Sequence, residues 1–221
     1  MKKWIFSLAI LFTVPLSNTH IQNMLEHGHS HAPKAFAPTE HEYYPSETVA
    51  KTYLKVRAME LEGFSAESEQ KLNLAFRALE IAVNSDEFRD RVINFKNTNG
   101  ERSFASNKGM TNEEIYEHFM EGRENLQPNT PGEMNFYLKQ YNRWWSRVIG
   151  WTTPTTNVIN INWKFFKKYQ PHEVAANLAH EWTHKMGFDH VSAKEHDSAP
   201  YAIGYIAGDI ASRVLKNNLI H

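Results

Sequence analysis

Apolar residues return at helical intervals over much of the first half of the chain and at strand intervals over part of the second. From Ser46 onward, Val49, Tyr53, Val56 and Leu61 recur at near-helical spacing up to Gly63, which predicts a first helix. Ser65 suits an N-cap, and Leu72, Leu74, Phe76, Leu79, Ile81 and Val83 supply the apolar faces of a second helix. Ser85 can cap a third, carrying Phe88, Val92 and Phe95. Asn97 to Gly109 is rich in Asn, Ser and Gly and reads as loop. Thr111-Asn112-Glu113-Glu114 has the form of a capping box, in which the Thr and Glu side chains each satisfy a free backbone N–H, so a helix should run to about Gly122.

The texture then changes. Asn125 to Gly132 is a turn-rich connection. Met134 to Tyr141, Trp145 to Thr152 and Val158 to Trp163 have strand character. In the last, Ile159, Ile161 and Trp163 should face one way and Val158, Asn160 and Asn162 the other. A helix follows Tyr169, and another is expected from about Tyr201 to Leu215. Helices gathered early and strands later indicate the α+β class.

Composition sharpens this picture in three places. The 221 residues, 41% of them hydrophobic, can bury a core as one domain or one domain with a helical annex. We expect a helical N-terminal part over 46–110 and a catalytic core over 111–221. A net charge of −1 gives no global field toward nucleic acid or an anionic membrane. With no cysteine, disulfides are excluded, and any zinc site must use imidazole or carboxylate ligands, the catalytic type. Lys2 and Lys3 before the apolar run Trp4 to Leu16 read as an export signal over 1–19, with no further apolar stretch of membrane length. Residues 20–45 read as a His-rich linker. Its His27-Gly28-His29-Ser30-His31 tract is expected to be a polar leader, with loose zinc gathering as the alternative.

The chemistry concentrates in His180-Glu181-Trp182-Thr183-His184-Lys185-Met186-Gly187-Phe188-Asp189-His190. Pro171 fits a helix's first turn, and Glu173 lies where the helix dipole favours an anion. At about 3.6 residues per turn, His180 and His184 share one face, so two imidazoles can point at one ion. Glu181 lies roughly 100° round from His180, beside the ion without binding it, and can serve as general base. Ala175, Leu178, Ala179, Trp182 and Met186 cluster opposite the two His, giving a dry face for the core. Gly187 can adopt the left-handed turn that ends a helix and brings His190 back as a third ligand. Three neutral imidazoles leave one zinc position open, as hydrolysis requires. Zinc is expected because imidazole suits it.

His180 to His190 resembles the metzincin zinc signature, His-Glu-x-x-His-x-x-Gly-x-x-His. Roughly residues 110–210 are also similar to a group of exported bacterial proteins of uncharacterised function, through Val148 to Thr152, Asn157 to Asn162, His180 to His190 and Ser198 to Tyr205. The resemblance implies a zincin-like fold, with a small mixed or antiparallel sheet packed on the active-site helix, and one catalytic Zn2+ on His180, His184 and His190 with Glu181 as base. It also implies an extended peptide substrate bound along an edge strand, which would be Val158 to Trp163. Metzincins carry a methionine turn after the third His. No Met follows Met186 here, and Ser198 to Tyr205 stands at a plausible distance to form the floor instead.

Tyr201 and Tyr205 are candidates for donating to an oxyanion. Asp189, His196, Asp197 and Asp209 are alternative ligands or orienting partners of an imidazole. Trp144, Trp145 and Trp151 are expected to pack. The expected function is zinc-dependent peptide hydrolysis outside the cytoplasm. The alternatives are a non-catalytic exported zinc-binding protein and an amidase of cell-wall peptides.

Overall fold

A computed structural model describes residues 53–122, 124, 131–145, 148–152, 156–191 and 195–217. The export signal, the linker with its His27–His31 tract, the start of the first expected helix and most of the Asn125–Gly132 connection lie outside these residues. The described residues belong to one compact unit. Its elements are β1 (Lys55–Glu62), α1 (Ala66–Val83), α2 (Asp86–Ile93), α3 (Asn112–Met120), β2 (Glu133–Tyr141), β3 (Gly150–Trp151), β4 (Val158–Asn162), α4 (Trp163–Phe166), α5 (Pro171–Lys185), a 3-10 turn at Glu195–Asp197 and α6 (Ala199–Lys216). The class is α+β, with a four-stranded mixed sheet in the order β1-β2-β4-β3. Strands β1, β2 and β4 run parallel and β3 antiparallel.

Helix starts follow local capping. Ser65, Ser85 and Thr111 each accept from a backbone N–H of the first turn of α1, α2 and α3, and Glu114 closes the expected capping box. On α5, Pro171 occupies the first turn and Glu173 accepts from the Gln170 N–H at 2.7 Å.

Three expectations are corrected. The segment from Lys55 is a strand, not the end of a helix. A bulge at Met59 sets Val56, Ala58 and Leu61 opposite Met134, Phe136 and Leu138 of β2. That extra residue gives the apolar positions uneven spacing, which imitates a helical period. Among the described residues of Trp145–Thr152, strand is confined to Gly150 and Trp151. Trp163 does not continue β4, because Asn162 accepts from the Lys164 N–H and starts α4.

The buried face of β2, Met134, Phe136 and Leu138, continues into Ile159 and Ile161 of β4. The Phe136 ring stacks on Phe76 of α1 at 5.7 Å and meets Trp182 of α5 edge-on at 5.6 Å. One side chain thereby couples the sheet to two helices, and α1 and α6 both flank α5. Helix α6 approaches α5 through glycine. A Cβ on Gly208 would lie 2.5 Å from Ala176 Cβ, and one on Gly204 would lie 3.1 Å from His180 Cβ. Among the described residues no helix is long and apolar enough to cross a membrane.

Candidate metal centre

The centre is built on α5 and the turn that ends it. Ala175, Leu178, Ala179, Trp182 and Met186 are buried as the helical wheel requires. Glu181, Thr183 and Lys185 are buried as well, so solvent reaches this helix little beyond the ligand face. Lys185 forms a buried ion pair with Glu124 and donates to the Asn157 carbonyl at 3.1 Å. Sequence reasoning missed this pair, because nothing local to Lys185 marks it as internal.

The helix ends in a double backbone clasp. Gly187, at φ 94°, donates to the His184 carbonyl at 2.8 Å, and Phe188 donates to the Thr183 carbonyl at 3.1 Å. Only glycine takes this conformation without strain. The Phe188 carbonyl then accepts from His184 Nδ1 at 2.7 Å. One turn thus redirects the chain toward His190 and orients the ring of His184.

The nitrogens of His180, His184 and His190 lie within 4.8 Å of one another, close enough to hold a metal ion. His190 Nε2 is 3.0 Å from both His184 Nε2 and His180 Nε2. Ligands at zinc–nitrogen distances of about 2.0–2.1 Å in a tetrahedron lie about 3.3 Å apart, so the spacing fits. His184 spends its N–H on Phe188, and the His180 ring is hydrogen-bonded to the Pro200 carbonyl. The Nε2 lone pairs of His184 and His180 thus face His190 Nε2, which offers a proton or a lone pair according to its tautomer. Protonation is opposed by burial, which holds His180 well below its ordinary value and His184 below it, and lowers His190 to about 4. Neutral imidazoles converging in this way suit a divalent cation.

Glu181 is 3% exposed, and burial raises its carboxyl to about 8, opposed by a hydrogen bond from Asn177. A cation on the adjacent imidazoles would lower it again. The Glu181 carboxyl reaches the sheet edge, where a Cβ on Gly150 of β3 would lie 3.0 Å from both Glu181 Oε1 and Asn177 Oδ1. Neither Asn177 nor Gly150 stood out in the sequence as part of the site. Asn177 lies one turn before Glu181, which is a legible signal. Gly150 carries none until the sheet is assembled.

The edge-strand expectation is corrected here. Val158–Asn162 is flanked by β2 on one side and β3 on the other, so it is not an edge. The strand at the edge beside Glu181 is β3. The Ile149 carbonyl accepts from the Asn162 N–H at 2.8 Å. Antiparallel pairing alternates, so the backbone N–H and C=O of the next residue, Gly150, point away from β4.

Tyr201 lies against the ligands, its ring 4.6 Å from that of His180 and 4.7 Å from that of His190. Tyr205 is one step further out, 6.0 Å from both Tyr201 and His196. The segment from Ser198 to Tyr205 therefore underlies the site, with Gly204 against His180. Asp197 and Asp209 are occupied elsewhere. Asp197 accepts from the Thr98 backbone N–H and hydroxyl, and Asp209 pairs with Arg91 and Arg213. Asp189 is exposed, and its charge partly offsets the lowering that burial imposes on His184.

The expected packing of the tryptophans is also corrected. Trp144 and Trp145 are 74% and 66% exposed and meet edge-on, and Trp151 is exposed on β3. Trp144 and Trp145 project from the connection between β2 and the sheet edge, where among the described residues no further layer covers them. Compared with protein-family models, curated proteins and solved structures, the chain matches none.

Proposed function

We propose that this chain is a zinc-dependent hydrolase of peptide bonds, with a zincin-like arrangement of sheet and active-site helix. The observation that carries the reading is the convergence of the His180, His184 and His190 nitrogens on one point, with the buried carboxyl of Glu181 on the residue next to His180. Metal storage needs the imidazoles but has no use for a desolvated carboxylate beside them.

His180, His184 and His190 would hold the ion. Zinc so held supplies Lewis acidity, bringing the pKa of water toward neutrality and polarising a carbonyl. The chain's own groups supply the rest. Glu181 takes the proton of the attacking water and returns it to the leaving amine. The outward backbone groups at Gly150 can pair with an extended peptide, which would lay the scissile bond beside Glu181. Tyr201, whose ring lies against those of His180 and His190, would donate to the oxyanion, and Tyr205 would support it from behind. The basic and apolar pattern of residues 2–16 supports action outside the cytoplasm.

The test is zinc content by elemental analysis together with cleavage of fluorescein-labelled casein and of cell-wall peptide fragments. We expect about one zinc per chain, lost in His190→Ala. In Glu181→Gln zinc stays and the cleavage rate falls about 10²–10⁴-fold. Cleavage that survives Glu181→Gln removes the base assignment. Stoichiometric zinc with no cleavage of either substrate leaves a zinc-binding protein, and cleavage of cell-wall fragments alone makes the chain an amidase of that material.

A further inference from the structure

We infer that Asn177 and Gly150 together position the general base: Asn177 tethers the Glu181 carboxylate from one helical turn away, and the missing side chain of Gly150 leaves the notch into which it is held. The inference rests on the reading of Glu181 as base. Two observations carry it. Asn177 and Glu181 are residues i and i+4 of α5, so their side chains lie one above the other on one face, where the amide can donate to the carboxyl. Independently, a Cβ on Gly150 would lie 3.0 Å from Asn177 Oδ1, 3.0 Å from Glu181 Oε1 and 3.4 Å from the Asn160 carbonyl oxygen. The edge strand therefore abuts the pair at the one residue that offers no side chain.

The consequence is directional. A glutamate has three side-chain torsions, and a base free to swing spends much of its time out of reach of the water. The helix fixes only where the Glu181 side chain begins. Asn177 draws the carboxylate along the helix axis, and β3 closes the remaining side. Its orientation is thus set by a contact between α5 and the sheet edge. The strand proposed to align substrate, β3, is the same strand that blocks the base from turning away. Gly150 takes no left-handed conformation, so alanine is tolerated by the backbone there and its effect reports on the notch.

The experiment uses zinc-loaded full chain with Asn177→Ala, Gly150→Ala and Glu181→Ala, and the double variant of Asn177 and Glu181, with fluorescein-labelled casein as probe. For Asn177→Ala and Gly150→Ala we expect zinc content and KM as in wild type and kcat lower by about ten- to a hundredfold. Wild-type kcat in both, or zinc lost together with kcat, overturns the inference, the latter by making the residues merely structural. A second readout needs no turnover. The melting temperature of Asn177→Ala should fall less in the Glu181→Ala background than in wild type, because the partner is already gone. Equal shifts in the two backgrounds overturn the tether. Should wild type cleave no casein, the hydrolase reading fails separately, and these melting shifts still decide whether Asn177 holds Glu181.

Discussion

Lys185→Met should be among the most damaging single changes outside the ligands. The Lys185 and Glu124 side chains are each 1% exposed and paired with one another. Lys185 also holds the Asn157 carbonyl, while Glu124 Oε2 has no hydrogen-bond partner beyond that ion pair. Removing the ammonium strands a carboxylate in a site that water does not reach. Breaking such a pair from one side costs about 3–5 kcal/mol, because the remaining charge keeps its desolvation penalty and loses its compensation. For a domain of this size each kcal/mol moves the melting temperature about 2–4 °C, so a fall of about 6–20 °C is expected. Lys185→Met combined with Glu124→Leu removes both charges, and most of the loss should be recovered. The assay is denaturant and thermal unfolding by circular dichroism at saturating zinc, so that metal affinity does not enter the comparison. A cost below about 1 kcal/mol for Lys185→Met, the value of a solvated surface pair, would refute the claim that this pair is dry. So would a double variant no better than the single one.

Other outcomes follow from the same geometry. Gly208→Ala puts a methyl 2.5 Å from Ala176 Cβ and should cost about 1–3 kcal/mol while weakening zinc binding, since α6 must retreat from the helix that carries His180; unchanged zinc affinity by competition with a chromophoric chelator would count against that coupling. The Glu181 carboxyl, raised from 4.5 to about 8 in the metal-free fold, contributes stability in its protonated form, fully present below about pH 4.5 and lost as pH rises through about 8. Metal-free Glu181→Gln keeps that neutral form, so it should melt above metal-free wild type at pH 8 and level with it at pH 4; no difference at pH 8 would show the carboxylate to be solvated. Replacing Trp144 and Trp145 by Ala should change stability by no more than about 0.5 kcal/mol each, because both rings stand in solvent. A larger loss on thermal melting would mean that they are covered.

Much of the centre was legible because it is local. The His180–His184 spacing, the apolar back of α5, the Gly187 stop and the Ser and Thr caps all depend on residues within a few positions of each other. Within that range the backbone itself sets which side chains meet. His190 belongs to the same class, since a two-bond clasp at Gly187 carries the chain back over six residues. The approach of His190 Nε2 to 3.0 Å from both His184 Nε2 and His180 Nε2 is the product of that clasp and of the Phe188 carbonyl it presents to His184.

The tertiary structure decided what spans distant segments. The uneven spacing of Val56, Ala58 and Leu61 fits a helical period as well as a bulged strand, and only pairing with Met134, Phe136 and Leu138 selects the strand. Val158–Asn162 reads the same at an edge or inside a sheet, and the two-residue β3 makes it interior. Gly150 acquires meaning only when β3 meets Glu181 and Asn177. Gly208 acquires it only when α6 crosses Ala176, and Lys185 only when Glu124 closes over it. A chain encodes its turns and helical faces through neighbours that meet in any folded or partly folded state. Its strand order and the walls of its site come from contacts whose partners are set by the whole core. The three converging His and the adjacent Glu181 were therefore legible in the sequence, and the neighbours of Glu181 at Asn177 and Gly150 appeared with the fold.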